Sequence, residues 1–132
     1  MRDFRELMTI PVGQSVSNGV NLESEVLAGI RIIEDSDAAT IKFQCLVGGN
    51  LGDTASEVWA DVLLTTGDFA PYTSVPFDIA TASITDGAVI VFPNDKVKGV
   101  PSVLRLINHT GGAPTAITGT PFTARLLVDT IP

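Results

Sequence analysis

Thr40-Ile41-Lys42-Phe43-Gln44-Cys45-Leu46-Val47 is the stretch that decides the fold. Side chains two apart on a strand share a face. Ile41, Phe43, Cys45 and Val47 therefore form one apolar face, and the run reads as a half-buried strand ending at Gly48-Gly49-Asn50. Working outward, Val26 to Glu34 reads as a strand whose central Gly29 predicts a bulge or a close backbone approach. Glu57 to Leu64 reads as the next strand, closed by Thr66-Gly67-Asp68. A weaker extended segment covers Ser74 to Ile79. Asp86-Gly87 opens a short apolar strand, Ala88 to Phe92, and Pro93 to Lys96 reads as a turn. Ser102 to Asn108 and Phe122 to Val128 are the last two long strands, joined by a Gly/Thr/Pro-rich loop over Thr110 to Pro121. A short pairing segment near Gln14 to Leu22 completes the set.

Composition agrees with this pattern. Valine, isoleucine and threonine supply 39 of 132 residues, against 5 glutamates and 3 lysines. β-Branched side chains suit a pleated surface and lose rotamer freedom in helices. About eight short strands with frequent turn signals predict an all-β chain: a closed barrel or a two-sheet β-sandwich, with eight strands fitting a jelly roll. The length suits one domain, assigned to residues 11–132. Residues 1–10 are assigned to a short N-terminal arm, because Phe4, Leu7 and Met8 have helical spacing before Pro11. So short a helix is unstable alone, so the arm either packs on its own domain or reaches a neighbouring subunit.

Charge narrows the partners. The net charge is −7, with 10 acids and 4 bases in residues 1–66. A phosphate backbone or an anionic membrane would be repelled, so neither nucleic acid nor membrane is expected as a partner. Acids in solvated loops explain the balance, with an acidic face for a basic partner as the alternative. Cys45 lies on the apolar face and reads as structural. A lone thiol and no apolar leader predict folding in a reducing cytoplasm.

Reactive groups do not cluster in the sequence. One histidine and one cysteine cannot build a conventional zinc site or an internal disulfide. His109 reads as a loop or surface residue, since no Gly-x-Ser-x-Gly elbow supplies a serine for a relay. Asp35 and Asp37 lack the remaining oxygen pattern of a calcium loop, and Gly48 to Gly52 lacks the Lys-Ser/Thr of a phosphate loop. Trp59 and Tyr72 could stack on a sugar, but a tryptophan in an alternating strand reads as core. The expectation is a non-enzymatic chain with no cofactor and no metal.

The order of short motifs suggests a family. Gly13-Gln14-Ser15-Val16-Ser17, Leu27-Ala28-Gly29-Ile30 and Thr40-Ile41-Lys42-Phe43-Gln44 come first. Phe92-Pro93, Val97-Lys98-Gly99-Val100, Leu104-Arg105-Leu106 and Ala124-Arg125-Leu126-Leu127-Val128 follow. In this order they resemble the jelly-roll cement (decoration) proteins of tailed-phage capsids and related small virion structural proteins. The resemblance implies a homotrimer on the capsid surface, assembled in the bacterial cytoplasm, that bridges major capsid protein subunits without covalent bonds. Two stretches, the acidic 34–37 corner and 45–49, depart from the family pattern. Position and composition single out Arg2, Phe4, Leu7 and Met8 on the arm, and Thr110, Ala113, Thr115 and Thr118 on the long loop, as partner contacts. The alternatives are a head-fibre base or tail component, or a carbohydrate- or receptor-binding sandwich.

Overall fold

The structure, a computed structural model, describes residues 2–34, 40–66, 73–79, 86–93, 97 and 99–130. Among these residues the chain forms β1 (Arg2–Ile10), β2 (Val20–Asn21), β3 (Glu25–Glu34), β4 (Thr40–Gly48), β5 (Val58–Asp61), β6 (Leu63–Thr66), β7 (Thr73–Pro76), β8 (Asp78–Ile79), β9 (Val89–Val91), β10 (Val103–Thr110), β11 (Ala113–Pro114) and β12 (Phe122–Thr130). The protein is all-β, and its two large antiparallel sheets form a β-sandwich. One sheet has the order β1-β12-β3-β9. The other runs β11-β10-β4-β5, with β2 also on β10 and β8 also on β4.

Alternation explains which side chains lie between the sheets. Ile30 and Ile32 of β3, and Ala124, Leu126 and Val128 of β12, face inward from the first sheet. Ile41 and Phe43 of β4, and Leu104 and Leu106 of β10, face them from the second. Phe43, Phe77 and Phe92 close one side of the core as a three-ring cluster with centroids 4.8–6.1 Å apart. Offset and edge-on pairs of this kind add to the burial of the rings themselves.

Several departures from strict alternation have local causes. Residues 2–10, expected as an arm with helical spacing, form the edge strand β1 and pair along β12. A bulge between Arg5 and Leu7 inserts Glu6, whose φ is +49°. An extra residue shifts the alternation by one. Phe4 and Leu7, three apart, therefore share the outward face, while Met8 and Ile10 are fully buried. The i, i+3 spacing is that of a bulged strand, not a helix. Val47, expected beside Cys45 in the core, is exposed because β4 bulges between Leu46 and Gly48. The single strand expected over Glu57 to Leu64 is divided at Val62. That residue donates its N–H to the Phe43 carbonyl and accepts from the Phe77 N–H, and the β6–β7 hairpin leaves the sheet there. Gly29 sits both at a bulge and at a close approach. A Cβ there would run into the Ile90 carbonyl oxygen and lie 3.2 Å from Leu127 Cδ2.

Candidate interaction surfaces

Two outward faces carry the chemistry of the surface. On the six-stranded sheet, register places Arg105, Gln44 and Asp61 in one row across β10, β4 and β5. Arg105 Nε donates to Gln44 Oε1 at 2.9 Å, and Gln44 Nε2 donates to Asp61 Oδ1 at 2.9 Å. Lys42, two residues along β4, brings its Nζ to 2.8 Å from Asp61 Oδ2. Gln44 thus links base to acid with both ends of its amide used. The hydrogen bonds from Gln44 and then Lys42 hold the Asp61 carboxyl below its ordinary pKa. Partial burial lowers that of the Arg105 guanidinium, and the Glu57 carboxylate opposes the shift.

Trp59 is next to this row, opposite Leu46. It is half-buried on the outward face rather than in the core. One strand register accounts for the difference: Ala60 opposes the inward Cys45, so Trp59 must point the other way. The Arg105 guanidinium lies 4.5 Å from the centre of the indole ring, a cation–π geometry. Trp59 Nε1 donates to Glu57 Oε1 at 3.4 Å, while Glu57 Oε2 accepts from the Gly52 N–H at 2.8 Å. Trp59, Arg105 and Glu57 line a groove of about 360 Å³, walled by residues 16–19 and by Leu51, Gly52 and Thr54. Tyr72, the other candidate for sugar stacking, is outside the described residues.

His109 is a buried member of β10, not a surface or loop residue. Its Nδ1 accepts from the Gly112 N–H at 3.0 Å. A neutral ring accepting at Nδ1 carries its proton at Nε2, which is 2.9 Å from Asp78 Oδ1. The ring thereby ties the β10–β11 turn to β8. Burial raises the Cys45 thiol above its usual pKa, as a structural cysteine in the core requires.

The other face belongs to the four-stranded sheet. Register aligns Phe4, Leu127, Gly29 and Val91 in a row across all four strands. Of the expected arm contacts, Phe4 and Leu7 are exposed on this face. Arg2 pairs there with Asp129 at 3.1 Å. Met8 is fully buried and offers no surface to a partner, because the bulge turns it inward.

Thr110, Ala113 and Thr118 are exposed, and Thr115 is half-buried. Their loop is tied down on both sides. Thr115 N–H donates to the Asn108 carbonyl and Gly13 N–H to the Ile117 carbonyl, at 2.9 and 2.8 Å. Since Ile10 pairs with Phe122, the loop lies at the Ile10 end of β1. Arg2 and Phe4 are at the opposite end, roughly 25 Å away along a nine-residue strand. The loop set is therefore separate from the Arg2–Phe4 end of the arm set, whereas Leu7 is only three residues from Ile10 along β1. Sequence reading missed the Arg105–Gln44–Asp61 row entirely, because it depends on pairing between strands far apart in the chain.

No protein-family model, curated protein or solved structure matches this chain.

Proposed function

We propose that the chain is a structural protein of a phage virion, a capsid cement (decoration) protein that bridges major capsid protein subunits by non-covalent binding. The strand order is the observation that carries this reading. In the series β1, β2, β3, β4, β5, β9, β10, β12, every step except β4 to β5 crosses from one sheet to the other. The resulting orders, β1-β12-β3-β9 and β2-β10-β4-β5, support the jelly roll that the motif resemblance implies. β3, β4, β10 and β12, the central strands of the two sheets, hold four of the seven resembling motifs.

A cement protein acts by linkage. It binds the expanded lattice and not its dissociated subunits, and so stabilises the shell against internal pressure. A homotrimer at three-fold or quasi-three-fold positions would multiply weak single contacts. Purified chain mixed with expanded and unexpanded capsids lacking it tests the reading. The chain sediments with expanded capsids and raises the temperature at which they break. Failure to sediment with either form refutes the proposal.

The Trp59 groove favours a second reading, a glycan-binding sandwich on the same class of particle. An indole with Arg105 over its ring and Glu57 at its Nε1 offers stacking and polar groups to a sugar. Oligosaccharide binding by the isolated protein, lost in Trp59→Ala without unfolding, would establish it.

A further inference from the structure

We infer that the outward face of the four-stranded sheet docks a protein surface that presents carboxylates to Arg31 and Arg125. The two arginines stand directly opposite each other on β3 and β12. Like charges directly opposite are destabilising in an antiparallel pair. Neither makes an ion pair or side-chain hydrogen bond with another described residue. The chain carries 15 acids against 8 bases, so a juxtaposition of two bases runs against its composition. On this face Glu34, opposite Thr123, is one outward row away along the strands, Asp129, engaged with Arg2, is two rows away beyond the Leu127 row, and Glu6 is the bulged residue next to Leu7 on β1.

The surroundings specify the partner. Leu7 flanks Arg125 and Val89 flanks Arg31 in the same row, and Phe4 and Val91 end the neighbouring row; all four are exposed. Apolar side chains around an arginine pair exclude water once covered, which strengthens a bidentate arginine–carboxylate bond. A second copy docked face to face about a two-fold axis would bring four arginines together, so this face does not fit an isologous self-contact. Nucleic acid fits poorly too, because the apolar flanks have no counterpart on a phosphate backbone and the chain is acidic overall. The face measures about 15 Å across four strands and about 20 Å along them. That is well below the roughly 800 Å² per partner of a single stable interface, and suits a contact repeated around a shell. The inference rests on the capsid reading and identifies the surface and the chemistry that reading requires.

Emptied expanded capsids of the phage proposed to carry the chain, stripped of it, serve as the probe. Native chain, Arg31→Gln/Arg125→Gln and Val91→Asp are compared by co-sedimentation, with thermal melting of each alone. The inference expects both variants to bind at least tenfold more weakly. It also expects the double glutamine variant to melt no lower than native, since the repulsion is gone. If native chain binds and the double variant binds within twofold of it, the docking face is wrong and the capsid reading stands. If native chain does not bind, both fall. A duplex DNA fragment that binds native chain and not the double variant would overturn the carboxylate partner in favour of phosphate.

Discussion

Gly29→Ala isolates one contact on which the four-stranded sheet depends. In an ordinary strand the change stabilises by about 0.5–1 kcal/mol, because alanine has less chain entropy to lose. At this position the new Cβ meets the Ile90 carbonyl oxygen, with Val91 Cα at 3.3 Å and Leu127 Cδ2 at 3.2 Å. A leucine methyl can rotate away, but a backbone carbonyl on the paired strand cannot. Overpacking costs about 1–3 kcal/mol, and the upper end applies where backbone must move. The net expectation is a loss of about 2 kcal/mol, or about 8 °C in melting temperature for a domain of this size. Gly48→Ala is the matched control. Its Cβ would be 3.5 Å from Val58 Cβ and Cγ2, an ordinary contact, so that variant melts at or slightly above the native temperature. Scanning calorimetry gives both values. Amide exchange locates the damage, because Phe92 N–H donates to the Ala28 carbonyl at 2.9 Å and reports on the edge that must shift. Its protection falls in Gly29→Ala. If Gly29→Ala melts at or above native, β9 does not pair with β3 as described and the sheet order fails with it.

Three further outcomes follow from the same geometry. Met8→Ala costs about 2–4 kcal/mol in denaturant unfolding, as a fully buried side chain does, while Leu7→Ala costs less than about 0.5 kcal/mol; the reverse order would place the bulge elsewhere. Glu6→Gly raises stability by about 0.5 kcal/mol by relieving a left-handed residue, and Glu6→Val lowers it by about 1–2 kcal/mol, both read from thermal melting. Asp61 has a folded pKa below its unfolded value, so its contribution is full above the unfolded value of 3.8 and is lost as pH falls through the folded value; Asp61→Asn is less stable than native at pH 7, and the difference shrinks in acid titrations of stability below about pH 4.

The strands visible in the sequence are those whose alternation is unbroken. Ile41, Phe43 and Cys45 announce β4, and the Leu104 and Leu126 regions announce β10 and β12. β1 is concealed by Glu6, since one inserted residue turns a period of two into an apparent helical spacing. Trp59 shows a different limit. Alternation separates two faces but does not say which faces the core, and the indole is on the outer one. The Arg31–Arg125 pair and the Arg105–Gln44–Asp61 row arise from register between distant strands, to which periodicity within one strand is blind. His109 is misread for a related reason: its partner Asp78 is 31 residues away, brought close by β8 docking on β4.

Quantitative mass spectrometry of washed, density-purified phage particles tests the central proposal most directly. A cement protein is present at a fixed ratio to the major capsid protein, and that ratio survives repeated washing. Particles that are infectious and intact yet carry none of this chain would contradict a place in the shell.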